Sequence, residues 1–387
     1  MPVYLRTTPR NLNSIAALLA VLETDLPSRA SDIRLAKHLD DIVEPGLVLY
    51  SFMTRELGRV VQELARLRHR FGDTFAAVAG GPQASGDPDQ TLSLGFRWVV
   101  VGEAGPELSG FVGQWLAGTV PPPGIYRFSP VGPLDRYPPW APSGRLFAPV
   151  EITRGCPFGC AFCQTPALFG RKPRHRSLAA LRQAFSHAVA TGHSFTRFVA
   201  PNAFAYGARD ARHPDVPAIE SLLVAARDCG FRKLYFGTFP SEVRPESVRA
   251  DLLRVVRGLC DNHTIALGLQ SGSNDVLERL RRGHSVEEGI RAVEAIAAAG
   301  FTPRVDFIFG LPGETDVHRA RTRQVIGLLR DAYGALIHAH RFTPLPGTPW
   351  AHERPSRIDA PTLRLIDELK GSGGMTGVRP GDFDEMA

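Results

Sequence analysis

Short apolar runs rich in valine, isoleucine, leucine and phenylalanine recur along the chain, each followed by a stretch with helical periodicity. Strands covered by helices on both faces read as continuous apolar runs, so this alternation points to parallel β/α architecture. In the first part, strands are predicted at Leu47 to Phe52, Phe75 to Ala79 and Trp98 to Val101, with an amphipathic segment from Arg55 to Phe71. That is the pattern of an open, doubly wound sheet. From about Pro121 to Pro149 the chain turns rich in proline and glycine (PPPGIYRFSPVGPLDRYPPWAPSGR), which breaks both periodicities and marks a linker. Six further strands follow, at Pro149 to Thr153, Phe195 to Ala200, Lys233 to Phe239, Thr264 to Gln270, Arg304 to Gly310 and Leu336 to Phe342. Six β/α units joined by right-handed crossovers make a partial barrel, whose chemistry sits at the C-terminal ends of its strands. The expected organisation is a first domain at 1–125, a linker at 126–148, a barrel at 149–350 and a C-terminal extension at 351–387, weakly structured after Lys370.

The 387 residues leave room for two hydrophobic cores, and 43% hydrophobic with 22% charged residues is an ordinary globular balance. No apolar run approaches the roughly 20 residues that span a bilayer. The opening MPVYLRTTPRN lacks the basic-then-apolar layout of a secretory signal, so the expectation is a cytoplasmic chain with no membrane partner. The formal charge of +6 is carried mainly by arginines dispersed over the whole length, which reads as solvated surface. With no zinc finger, aromatic-rich RNA-binding strand or basic tail, no nucleic acid is expected as partner.

Five cysteines, three of them within eight residues, do not make a secreted disulfide framework and fit reduced thiols serving a metal. In EITRGCPFGCAFCQTP, directly after the first barrel strand, Cys156, Cys160 and Cys163 form CxxxCxxC. Three thiolates can hold three irons of a 4Fe-4S cubane and leave the fourth open to a chelating ligand. The alternative is a zinc knuckle, which normally needs four protein ligands, and His175 is the one nearby candidate. Cys229 and Cys260 fall in helical stretches, where inert buried thiols are expected.

This motif, at a strand end in a β/α chain, resembles that of the radical S-adenosylmethionine superfamily, with Phe162 where the family places an aromatic beside its last cysteine. The resemblance covers about residues 149–350 and implies that the open iron is chelated by S-adenosylmethionine, whose reductive cleavage gives a 5′-deoxyadenosyl radical. It implies an electron donor such as flavodoxin or ferredoxin. It also assigns strand-end residues to S-adenosylmethionine: Asn202 to the methionyl amino group, and Ser241, Glu242 and Arg244 to the ribose or carboxylate. For Ser241 and Glu242 a helix cap with a first-turn acid is the alternative. LGLQSGSNDVLERLRRGHS is similar to the fourth-strand motif of cobalamin-associated radical enzymes and methylthiotransferases, placing Gln270, Ser271 and Gly272 along the cofactor. Arg282 and His284 follow in the RRGH turn, with an exposed helix terminus as the alternative for both. In VDFIFGLPGET, the residues Gly310, Leu311, Pro312 and Gly313 would bring backbone close to the adenine.

VLYSFMT, AVAGGPQASGDP and FRWVVVGEAGPE resemble, in that order, the strand-end loops of the cobalamin-binding domain that precedes many such barrels. Ser51, Gly80, Gly81, Pro82 and Gly102 would let the sheet edge approach a corrin ring, where ligands of open α/β sheets sit. There is no DxHxxG, and position 83 is Gln where related loops often have His, so a corrin would bind base-off without a histidine. A vestigial domain that binds no corrin stays open. Nearly end to end, the motif order resembles an uncharacterised family of radical enzymes with this domain. The fold class expected is therefore α/β, a doubly wound Rossmann-like cobalamin-binding-type domain followed by a partial (β/α)6 TIM-like barrel.

The implied activity is a cobalamin-dependent methyltransferase acting on an unactivated carbon. The alternatives are rearrangement or oxidation beside a relic domain, or an iron-sulfur protein without turnover. Methylthiolation fits less well, because no cysteine precedes Cys156 to hold a second cluster. No motif names the substrate or a catalytic acid or base; His338, His340, Arg341 and Tyr206 are placed near that end of the barrel, with packing as their alternative role.

Overall fold

In a computed structural model, which describes residues 1–377, the first six strands form one parallel sheet. These are β1 (Val3–Arg6), β2 (Ile33–Ala36), β3 (Leu47–Ser51), β4 (Ala76–Gly80), β5 (Trp98–Val101) and β6 (Gly124–Arg127), in the order β2-β1-β3-β4-β5-β6. Every residue of β1 and β3 is buried, which is why β3 reads as an unbroken apolar run. Alternate residues feed two cores: Val3, Leu5, Leu47 and Leu49 on one face, Tyr4, Val48 and Tyr50 on the other. The strand order reverses between β1 and β3, so the crevice of this sheet opens beyond their carboxyl ends. There Arg6 is pinned by a two-pronged contact to Glu63 (2.9 and 2.7 Å) and by the Lys37 carbonyl (2.7 Å). Asn11 Nδ2 donates to the carbonyls of Arg6 and Ser51, tying the ends of β1 and β3 together.

The Pro/Gly-rich stretch expected as a linker contains the edge strand β6 and is otherwise packed. Tyr137 and Trp140 are buried, the tyrosine hydroxyl donating to Asp25 (2.8 Å) and the indole to the Ala148 carbonyl (2.7 Å). Ser143 and Arg145 both bind Glu23, a buried carboxylate on the helix Leu12–Asp25. Prolines prevent a regular element here without preventing burial. The chain accordingly divides into one unit of residues 1–150, with short segments at 167–170 and 345–348, and a second unit made of the rest.

The second unit carries β7 (Val150–Glu151), β8 (Thr153–Arg154), β9 (Arg174–His175), β10 (Phe195–Val199), β11 (Lys233–Tyr235), β12 (Thr264–Gln270), β13 (Thr302–Phe309), β14 (Leu336–Arg341) and β15 (Met375–Thr376). Their orders are β11-β10-β7 and β12-β13-β14-β15, with a separate antiparallel pair β8-β9. The third barrel strand, expected to run to Phe239, stops at Tyr235, and Gly237 (φ +70°) turns it away. Val243 then re-enters beside Leu267 of β12, its N–H donating to the Ala266 carbonyl and its own carbonyl accepting from Gly268. The tail is more regular than expected. After Lys370, β15 adds a seventh strand against β14, and residues 378–387 of the extension lie outside the described residues. Among the described residues, no helix is long and apolar enough to cross a membrane.

Candidate functional site

β8 hands the chain to Gly155 (φ +85°), where the cysteine loop begins. The loop is held by backbone bonds on two sides: Ala161 N–H donates to the Leu280 carbonyl (3.0 Å), and Trp350 N–H to the Ala161 carbonyl (3.1 Å). Cys160 is buried and Cys156 and Cys163 half-buried. His175, the possible fourth zinc ligand, is instead engaged by Thr153 Oγ1 at 2.9 Å and by the Ala208 backbone, and burial lowers its basicity. Cys260, half-buried just past the helix Ala250–Leu259, has its thiol pushed up to about 12 by burial, as suits an inert thiol.

Two arginines from other strand ends converge on Cys160. Arg282 Nη1 stands 3.3 Å from its Sγ and Arg244 Nη1 3.7 Å, and the Arg244 guanidinium lies over the Phe158 ring at 3.5 Å. Burial opposes ionisation of the Cys160 thiol, but the two guanidinium charges overcome it and lower its pKa; for Cys156, burial dominates and raises it. Both arginines are buried, so neither is the exposed helix terminus offered as the alternative for Arg282. Arg282 also donates to the Gly268 carbonyl (2.6 Å), while its Nε has no partner. A buried guanidinium without a carboxylate of its own suits a site that receives an anionic group, as three thiolates around iron would be.

His284 is likewise buried, 3.5 Å from Glu246, whose other oxygen accepts from Arg244 Nε at 2.5 Å. Burial disfavours the Glu246 anion, yet His284 and Arg244 bring its carboxyl down to about 2, Arg244 being the closer partner. A carboxyl depressed in the folded state stabilises the fold fully above its ordinary pKa near 4.3 and loses that contribution as pH falls toward 2. Urea-unfolding midpoints should therefore drop more steeply between about pH 4.5 and 2.5 in the wild type than in Glu246→Gln. Parallel curves would remove Glu246 from the pairing.

Not all expected S-adenosylmethionine contacts face an open site. Asn202 is consumed by the protein, its Oδ1 accepting from Arg244 N–H and Ser247 Oγ and its Nδ2 donating to the Ala211 carbonyl. Ser241 is neither helix cap nor open donor, since its hydroxyl bridges the Ala200 backbone N–H and carbonyl across to β10. Gly272 approaches the helix Asp316–Tyr333, where a Cβ would lie 2.5 Å from the Thr322 Cα, and Ser271 Oγ accepts from Ser273 N–H. Gln270 remains at the strand end with φ +78°, a left-handed kink where the register with β13 shifts. Phe162 is half-buried with the Arg282 guanidinium 6.0 Å from its ring, and Glu242 is also only partly covered. Gly310 (φ +75°), Leu311 and Pro312 form a tight turn beyond β13, with Leu311 N–H bound to Glu314 and the Pro312 carbonyl to Arg279.

In the first unit, Ser51, Gly80, Gly81, Pro82 and Gly102 lie together at the carboxyl ends of β3, β4 and β5. A Cβ on Gly81 would sit 2.5 Å from Ser51 Oγ, and one on Gly102 2.4 Å from the Phe128 carbonyl, so these two serve close packing within the sheet edge. Gly80 is the less crowded, with Tyr50 O at 3.6 Å. Gln83 is buried and bracketed by Thr54 and Gln90. Asn11, which completes the edge, lies between β1 and the helix Leu12–Asp25, and the sequence shows neither the strand nor a motif there.

Residues 150–326 match the Radical SAM superfamily model. The chain carries a radical SAM domain. That family works with a 4Fe-4S cluster and S-adenosylmethionine. The chain resembles the tRNA-2-methylthio-N(6)-dimethylallyladenosine synthase of Pelobacter propionicus, 29% identical over 66% of this chain and 61% of that protein. It also resembles the threonylcarbamoyladenosine tRNA methylthiotransferase MtaB of Thermotoga maritima, 24% identical over 59% and 51%. The chain thus spans about half to three-fifths of these relatives. In fold it is similar to the radical S-adenosylmethionine methyltransferase TsrM of Kitasatospora setae, solved with cobalamin and cluster bound (TM-score 0.64, 16% identity, 91% of this chain and 74% of that one). The cobalamin-dependent radical enzyme OxsB is similar too (TM-score 0.61, 12% identity, 100% and 64%). The expected α/β class with parallel sheets agrees with these radical SAM folds.

Proposed function

We propose that this chain is a cobalamin-dependent radical SAM methyltransferase acting on an unactivated carbon. The reading is carried by one observation: a parallel sheet with a strand-order reversal and a second set of parallel strands with the CxxxCxxC loop occur in one chain. The names of TsrM and OxsB support it, since both declare cobalamin. Cys156, Cys160 and Cys163 would hold the cluster, with Arg282 and Arg244 as buried counter-charge. Phe162, Glu242, Gln270 and the turn Gly310–Leu311–Pro312 are the proposed S-adenosylmethionine contacts; Asn202, Ser241 and Ser271 act one layer out, by fixing the loops. The sheet edge of Ser51, Gly80, Gly81, Pro82 and Gly102 is the proposed corrin face, and its histidine-free loops fit base-off binding. When bound, the cluster and S-adenosylmethionine supply a carbon-centred radical and the corrin a transferable methyl group. A flavodoxin- or ferredoxin-like protein is the proposed electron donor, and the cytoplasm the proposed compartment.

Methylthiolation is the second reading, favoured by the names of the curated relatives, but residues 1–155 contain no cysteine to anchor a second cluster. Incubation with S-adenosylmethionine under strong reduction should yield both 5′-deoxyadenosine and S-adenosylhomocysteine, the latter only in corrin-loaded protein. Product formation undiminished without corrin would overturn the methyltransferase reading, and an intact cluster with neither product would favour a binding protein.

A further inference from the structure

Away from the cysteine loop, a second group of ligating side chains meets on β13 and β14. Along β13, Val305, Phe307 and Phe309 are buried on one face, while Arg304, Asp306 and Ile308 share the other. The register sets Asp306 opposite His338 and Ile308 opposite His340, so the carboxylate and both imidazoles occupy one face of adjacent strands. Their ligating atoms all lie within 4.8 Å of one another. Glu242 and Arg282, from other strand ends, are among the charged groups that act on Asp306 there.

Asp306 is 4% exposed, and its Oδ1 has no hydrogen-bond partner. A buried carboxylate left unpaired is costly unless it stays protonated or meets a cation. Arg304 on the same face and Arg282 from another strand end oppose a cation, and the carboxylates of Asp306 and Glu242 offset those two charges, so the surroundings are near neutral before an ion enters. His338 is already oriented: its Nδ1 meets Thr376 Oγ1 at 2.7 Å, which leaves Nε2 as the ligating atom. An outer hydroxyl fixing tautomer and ring angle is the usual support of a metal-bound histidine. Gly377 backs the same ring so closely that a Cβ there would lie 2.4 Å from its Cε1. The seventh strand, β15, therefore serves to hold His338 in place.

We propose that Asp306, His338 and His340 form a second metal site, distinct from the cysteine cluster, for a divalent transition ion such as Zn2+ or Fe2+. Two imidazole nitrogens and one carboxylate select such ions over magnesium or calcium, and three protein ligands leave positions open for a substrate oxygen or nitrogen. The site would anchor substrate on this face of β13 and β14. It is independent of whether the first unit binds a corrin.

The test uses full-length, cluster-loaded protein in its oxidised, EPR-silent state, equilibrated with Co2+ as probe. Bound cobalt is counted by mass spectrometry, and high-spin Co2+ is read by low-temperature EPR. The expected result is about one Co2+ per chain, displaced by Zn2+, with binding weakened at least tenfold in Asp306→Asn and lost in His338→Gln/His340→Gln. Iron content of each variant shows that its fold and cluster survive. Should the double variant lose its cluster, the single glutamine variants, each expected to weaken Co2+ binding at least tenfold, replace it. Equal cobalt in wild type and variants, or none in the wild type at tens of micromolar, would overturn the proposal.

Discussion

Replacing Cys156, Cys160 or Cys163 singly by alanine abolishes cluster assembly: iron falls from about four per chain to near zero, and the visible iron-sulfur absorbance disappears with it. Each cysteine supplies a separate iron ligand from one loop, and His175, the only neighbouring alternative donor the sequence offered, is already engaged by Thr153. Cleavage of S-adenosylmethionine should be lost to the detection limit in all three. Cys229→Ala is the control: this half-buried thiol accepts from Ser186 Oγ and should leave the iron count unchanged. A wild type holding about one zinc and no iron would instead support the knuckle, which normally takes four protein ligands.

Arg282→Met makes the cluster markedly harder to reduce. The guanidinium donates to Cys160 Sγ at 3.3 Å from a buried position, so its charge is little screened. A unit charge about 6 Å from the charge it acts on, in an effective dielectric of about 20, is worth roughly 2.8 kcal/mol. For a one-electron couple that is a shift of about 120 mV to more negative potential, at about 59 mV per tenfold. Truncation also strands the Gly268 carbonyl, at a cost of about 1 to 3 kcal/mol in stability. Arg282→Lys keeps the charge and should restore most of the potential while recovering less stability, because lysine lacks the fork. An Arg282→Met protein with a full cluster and an unshifted potential would remove Arg282 from the cluster environment.

The sequence made some of this legible because the responsible interactions are local. The cysteine spacing is complete within eight residues, β3 announces itself because both faces of its sheet are packed, and β12 and β13 because they are long and mostly buried. β1 (VYLR) and β2 (IRLA) escaped because an arginine breaks each short apolar run, whereas the equally short β5 is WVVV, and with them went Asn11 and half of the strand-reversal edge. The Pro/Gly-rich stretch misled because irregular backbone was equated with exposure, while Trp140 and Tyr137 pack and Arg145 binds Glu23, 122 positions earlier. Arg282 and His284 look like a charged helix end until Cys160, also 122 positions away, and Glu246 are brought beside them. Asn202 and Ser241 show the opposite error. Small polar residues at strand ends are what a ligand site needs, and equally what a loop needs to satisfy its own backbone.

The central claim, that the first unit is a working corrin site serving the radical SAM domain, is tested most directly by corrin stoichiometry. Protein is purified anaerobically, its cluster reconstituted and hydroxocobalamin supplied, and bound corrin is then extracted and its absorbance recorded before extraction. The account predicts about one corrin per chain with a base-off spectrum, since no histidine stands in the loops that follow β3, β4 and β5. A full cluster with no retained corrin would contradict it and leave a radical SAM domain behind a sheet that has kept its fold without the cofactor.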